Sequence, residues 1–369
     1  MPPALHRRIG QLAVVGFEGK TIGPELAALA REFDLGGLIL FARNVESPEQ
    51  VAELAAEAQR FAGDAPLWVG IDQEGGRVAR MRRPMTEWPP MLALGRSGDE
   101  ALASRFADAL ARELTAVGIS IDFAPVLDVL TNPGNPAIGD RALGERPETV
   151  ARLGAAIVRG LQAGGVAACG KHFPGHGDTS VDSHLDLPLV EHPPERLREI
   201  DFVPFRAAIE AGVAAVMTAH LLVPAFDEEH PATLSRRIVS DVLRGELGFD
   251  GLVFTDDMDM KAISARFTRE RAVVSAVAAG CDALLLCGTD VADHASAVEA
   301  LVRAVEREEI PRARIDDAVA RQRRAKERFA VMAGSPLRPG WRPMPPRELR
   351  NVIGCAAHQL VAEEMRRFS

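Results

Sequence analysis

Cysteine is scarce: Cys169, Cys281, Cys287 and Cys355 are the only four in 369 residues, and no two stand in CxxC spacing. That excludes a disulfide framework and reads as buried thiols of a reducing compartment. No stretch approaches the roughly 18 uninterrupted apolar residues of a membrane-crossing helix, so no membrane partner is expected. The start, Met1 to Arg8, leads into a short apolar stretch without a small-residue cleavage site. The expected location is therefore the cytoplasm. Positive charge is short too: the net charge is −9, and the basic runs at Arg80 to Arg83 and Arg321 to Lys326 are brief and separate. An electrostatic footprint for nucleic acid is missing. A hydrophobic share of 47% and a charged share of 26% exclude disorder.

What is present is alternation. Short β-branched or leucine-rich runs lie at Leu12 to Phe17, Gly37 to Phe41, Leu67 to Ile71, Ser120 to Val126, Val166 to Gly170, Ala214 to Thr218, Gly251 to Phe254 and Ala283 to Leu286. Between them run alanine-rich stretches of helical period, such as Pro48 to Ala62, Asp99 to Val117, Pro147 to Gly164, Pro194 to Gly212 and Arg236 to Gly248. Several open on a capping Ser or Asp, or on a first-turn proline, and several close on glycine. Eight strands alternating with helices predict a parallel sheet with right-handed crossovers, closed into a (β/α)8 barrel of the TIM type. A doubly wound open sheet is the competing architecture. Polar groups decide between them, because they follow successive strands: Arg43-Asn44, Asp72-Gln73-Glu74, Asp128, Lys171-His172, His220, Asp256-Asp257 and Thr289-Asp290. An open sheet would gather them at one switch point, whereas a barrel spreads them around one rim. Residues 1–334 read as the catalytic barrel and residues 335–369 as a proline-rich arm ending in a short helix, Arg347 to Arg367, in a chain expected to be a monomer.

The densest chemistry lies in V-A-A-C-G-K-H-F-P-G-H-G-D-T-S-V-D-S-H-L-D-L-P, Val166 to Pro188. Three of the nine histidines fall within 13 residues there, on the loop that leaves a strand. A solvated polar loop is one reading. A metal site using His172, His176, Asp178 and His184 is a second, although Pro174, Gly175 and Gly177 preclude the regular helix that would align His-x3-His. Acid/base work on a mobile loop is the reading we adopt: in Asp182-Ser183-His184 a carboxylate two residues from an imidazole can hold the ring and stabilise its charged form. No metal and no cofactor are expected.

A second cluster, Gly248 to Met260, ends a strand on Asp256-Asp257. By strand alternation Asp256 points over the barrel mouth and Asp257 faces away. A fixed carboxylate there suits a nucleophile or the stabiliser of a cationic transition state, and taken alone it serves equally as a helix cap or ion-pair partner.

Together these segments resemble glycoside hydrolase family 3, and within it the bacterial β-N-acetylglucosaminidases acting on cell-wall fragments. The residues carrying the resemblance are Gly36 to Asn44, Ile71 to Arg80, Phe123 to Val129, I-G-D-R at Ile138 to Arg141, K-H-F-P-G-H-G-D-T-x-x-D-S-H at Lys171 to His184, and F-T-D-D-M at Phe254 to Met258. The resemblance implies that Asp256 is the nucleophile, His184 the general acid/base and Asp182 its partner. It also implies that Asp72, Arg80, Arg141, Lys171 and His172 hold the sugar of a carbohydrate substrate. Nothing corresponds to the second domain of longer members, and the tail after Ser335 matches no motif. Phosphorolysis instead of hydrolysis, a catalytically silent sugar-binding barrel and a metal-dependent hydrolase are the competing functions.

Overall fold

The computed structural model describes residues 3–332 and 335–369. Met1, Pro2 and the Ala333-Gly334 junction, on which the expected barrel boundary falls, lie outside the described residues. Eight parallel strands close into a barrel: β1 (Ala13–Val15), β2 (Gly37–Leu40), β3 (Trp68–Ile71), β4 (Ile121–Asp122), β5 (Ala167–Phe173), β6 (Ala215–Thr218), β7 (Leu252–Asp257) and β8 (Ala283–Leu286). Each pairs with its sequence neighbours, and β1 pairs with β8 to complete the ring. All eight overlap the predicted runs, but β5 runs on past Gly170 to Phe173 and β7 past Phe254 to Asp257, so Lys171 and His172 stand on a strand and not on the loop after it.

The helices between them begin where the sequence signals. Ser47 caps Pro48–Gln59 by accepting from the Gln50 N–H at 3.1 Å, and Asp99 caps Glu100–Ala116 by accepting from the Ala101 N–H at 2.8 Å. Pro147 opens the helix that runs to Ala163. Asp290, one of the rim groups, does this same job for Val291–Glu306.

Inside the barrel Val14, Ile39, Trp68, Ile121, Phe123, Cys169, Met217, Phe254 and Leu285 form a buried apolar fill. Phe123 and Phe254 meet edge to face at 5.4 Å. At the opposite end from the site, the helix Arg312–Ala330 packs Phe329 into this fill and offers Gln322 to the Trp68 indole at 2.8 Å. The interior is therefore a packed core and not a pore.

The tail forms two helices, Pro346–Val352 and Ala356–Arg366, where the sequence predicts one. The break is at Gly354, whose positive φ of 58° and proximity to the Pro84 carbonyl leave no place for a side chain. Leu349, Ile353, Ala362 and Met365 are buried in the main core, and the Glu113 carboxylate accepts from the Gly354 N–H at 2.8 Å.

Two irregularities in strand pairing position the site. In β7, three steps from Phe254 to Asp257 face two from Ala283 to Leu285; in β5, three from Gly170 to Phe173 face two from Val216 to Thr218. Each is a bulge, and a bulge re-aims the side chains beside it.

Candidate active site

A cavity of about 260 Å³ opens at the C-terminal ends of the strands. Its floor is the top of the apolar fill, at Ile39, Met217 and Leu285. Its wall includes every residue the sequence nominates: Asp72, Arg80, Arg141, Lys171, His172, Asp182, His184 and Asp256.

One side is an ion array. Lys171 Nζ, on a side chain only 2% exposed, donates to Asp72 Oδ1 at 2.8 Å and to Glu74 Oε1 at 2.7 Å. Arg80 donates to the other Asp72 oxygen at 3.0 Å, with its guanidinium over the Phe41 ring. Arg141 grips Glu74 in a fork at 2.9 and 2.7 Å. Burial alone would raise both carboxyls, but Lys171 and Arg80 hold Asp72, and Arg141 and Lys171 hold Glu74, below the ordinary range. Burial would likewise lower Lys171, and the two carboxylates override it upward. The array is thus fully ionised.

From the sequence Glu74 is only a rim residue, although it follows Asp72 by two and so shares its face in an extended segment. It is the most buried member of the array, with a side chain 1% exposed. Glu74→Ala is expected to cost about 3–5 kcal/mol of stability, because two buried cations lose their counter-charge. A urea midpoint unchanged from the parent's would show that the array is not held this way.

In the segment after β4, Asp128, fully buried, accepts from His172 Nδ1 at 2.7 Å and from the His176 backbone N–H at 2.7 Å. Burial pushes its carboxyl up, and the His172 charge and hydrogen bond bring it below the ordinary value. The His172 ring is thereby fixed with Nε2 left for the cavity it lines. Asp128 is a rim residue in the sequence, and its part in seating both histidines follows from β4 lying beside β5.

Asp256 ends β7. Burial raises its carboxyl, but the charges of His172 and His220 and the backbone N–H of Asp257, at 2.8 Å, leave it below the ordinary aspartate value. It is held as an anion. Asp257 does not turn away as alternation predicts: the bulge in β7 brings it to the same cavity. Its carboxylate accepts from the backbone N–H groups of Asp259 at 3.0 Å and Cys287 at 3.2 Å, which ties β7 to the end of β8.

On the same cavity, from the loop after β5, His184 Nδ1 donates to Asp182 Oδ1 at 2.8 Å. The imidazole is 69% exposed, and its Nε2 has no hydrogen-bond partner among the described residues. The four ligand types of the metal reading are parted. His172 faces Asp128, His176 faces Thr179 and Ser183, Asp178 faces Thr131 and His192, and His184 faces Asp182. Other rim groups serve the frame: Arg43 donates to the Phe17 and Cys287 carbonyls, and Asn44 to those of Phe17 and Gly19.

A permanent anion at a strand end, a carboxylate-paired imidazole on the same cavity and a bed of alternating charges can bind a polyhydroxylated ring and break a bond to it by displacement with proton transfer. Comparison with known proteins points the same way. The family described as "Glycosyl hydrolase family 3 N terminal domain" matches residues 4–325. "Beta-hexosaminidase A" of Pseudoalteromonas piscicida is 40% identical over 287 residues, 72% of this chain and 48% of that protein. The chain thus spans about half the length of that relative. "Beta-hexosaminidase" of Thiobacillus denitrificans is 44% identical over 259 residues, 69% of this chain and 71% of that one. The solved structure of a glycoside hydrolase family 3 β-N-acetylglucosaminidase from Paenibacillus sp. superposes with a TM-score of 0.90 at 44% identity, covering 99% of this chain and 68% of that one.

Proposed function

Because the chain belongs to glycosyl hydrolase family 3, we propose that it is a retaining exo-β-N-acetylglucosaminidase that removes terminal β-linked N-acetylglucosamine from peptidoglycan fragments in the cytoplasm. The observation that carries this reading is the pairing, on one cavity, of an anionic Asp256 with a His184 held by Asp182. Asp256 attacks the anomeric carbon, the bond to the leaving oxygen breaks, and His184 gives that oxygen its proton. Water, deprotonated by the now neutral His184, then attacks the glycosyl-enzyme and releases the sugar with its configuration retained. Asp72 accepts from ring hydroxyls on its remaining lone pairs, while Lys171, Arg80, Arg141 and His172 donate to hydroxyl and acetamido oxygens.

The cavity volume is on the scale of one sugar ring, which supports release of single residues from a chain end. A site that hydrogen-bonds the acetamido group leaves those partners unpaired with glucose, so kcat/KM for the aryl β-N-acetylglucosaminide should exceed that for the aryl β-glucoside at least about a hundredfold, or about 2.7 kcal/mol. Near-equal values on one enzyme preparation would defeat the assignment of the sugar. Phosphate as acceptor is the second reading, since an imidazole does not repel an incoming anion as a carboxylate does. Running the same assay with phosphate distinguishes the two: formation of a sugar phosphate marks a phosphorylase.

A further inference from the structure

The catalytic pair of the proposed reaction flanks a residue that does the opposite of its neighbours. Ser183 is 3% exposed, between the partly exposed Asp182 and the exposed His184. It is held from two sides. Its hydroxyl meets His176 Nε2 at 3.2 Å, and its carbonyl accepts the Ala262 N–H at 3.2 Å.

Neither anchor is arbitrary. His176 is bonded through its own N–H to Asp128, the carboxylate that also fixes His172, and its carbonyl accepts from Asn135 at 2.7 Å. With the Thr179 hydroxyl donating to the His176 carbonyl at 3.1 Å, His176 Nδ1–H donates to Thr179 Oγ1 at 2.7 Å. Nε2 then carries a lone pair and accepts the Ser183 proton. The ring must be neutral to do so, and burial, with the His172 charge, lowers its pKa to about 4. Ala262, on the other side, lies on the short helix Lys261–Ser264 that follows β7. It stands six residues beyond Asp256. Just past this helix, Arg266 reaches back to Asp186 at 2.8 Å, so the acid/base loop and the segment after the nucleophile meet twice.

We propose that Ser183 is the positioning residue of the reaction: its hydroxyl bond to His176 and its carbonyl bond to Ala262 set where the Asp182–His184 pair stands relative to Asp256. This rests on His184 being the general acid. The distance across a retaining site is critical, because attack on one face and protonation of the leaving oxygen must coincide. A loop free of this double tether would present His184 over a range of positions.

The test replaces Ser183, not the catalytic pair. Ser183→Ala should lower kcat/KM for a natural glycoside, whose leaving group needs the proton, roughly five- to tenfold, the worth of one buried hydrogen bond. An aryl substrate with an acidic leaving group should lose less than about twofold, since it needs little protonation. Ser183→Thr, which keeps the hydroxyl, should restore the natural substrate's rate. Equal losses on both substrates, no loss on either, or failure of the threonine variant to recover would overturn the proposal. His184→Ala run alongside separates the levels. If it is selective for poor leaving groups and Ser183→Ala is not, the positioning role fails and the acid assignment stands. If His184→Ala is itself unselective, both fail.

Discussion

Asp256→Ala is expected to lower kcat/KM by at least roughly 10⁴, the scale on which loss of a covalent nucleophile is felt. The carboxylate is pre-ionised by His172, His220 and a backbone N–H. Asp257 is the adjacent carboxyl, but both of its hydrogen bonds go to the backbone of the β7 and β8 ends. Azide, small enough to enter the vacated space, should restore turnover and yield a glycosyl azide. In the unaltered enzyme a slow fluorinated sugar should become attached to Asp256, and mass spectrometry finding it elsewhere would remove Asp256 from the role. Asp257→Ala should instead cost stability, about 1–3 kcal/mol for two part-buried donors left without a partner. Burial raises the Asp257 carboxyl to about 6 from 3.8, so its favourable contribution is complete below 3.8 and is lost as pH rises through about 6. Asp257→Asn, which cannot ionise, should therefore gain on the parent in thermal midpoint across that window.

His184→Ala is expected to slow natural glycosides by roughly 10²–10⁴, the usual worth of a general acid. The geometry makes the effect separable. Nδ1 is committed to Asp182, so on the proposed reaction Nε2 is the atom left to meet the leaving oxygen. Aryl glycosides with acidic leaving groups should lose far less in the first step, and covalent intermediate should accumulate because the second step still needs a base. A uniform loss across leaving groups would take the proton-transfer role from His184. Asp182→Asn should fall between, since it keeps the ring in place and removes the charge that stabilises the imidazolium.

The barrel was legible because its signals are local: eight apolar runs, capping residues such as Ser47 and Asp99, and polar groups spaced one strand apart. The wall of the site was legible for the same reason, each member following a recognisable strand. What escaped depends on pairing between strands distant in sequence. The orientation of Asp257 followed from strict alternation, and the bulge that breaks alternation exists only against β8. Glu74 was passed over because its value comes from Arg141 and Lys171, 67 and 97 residues away by numbering. Ser183 stands between the two proposed catalytic residues with no sequence signal of its own, and its burial is decided by His176 and Ala262.

Among the described residues, the apolar fill topped by Ile39, Met217 and Leu285 closes the floor of the cavity. A blind well imposes an order of events. The sugar enters first and lies deepest, so on the proposed reaction the leaving group departs while the glycosyl-enzyme is still stoppered below, and N-acetylglucosamine exits last by the route it came. Free sugar should then inhibit competitively against substrate, and alcohols arriving from the rim should intercept the intermediate in place of water, giving transfer products with the same anomeric configuration as hydrolysis.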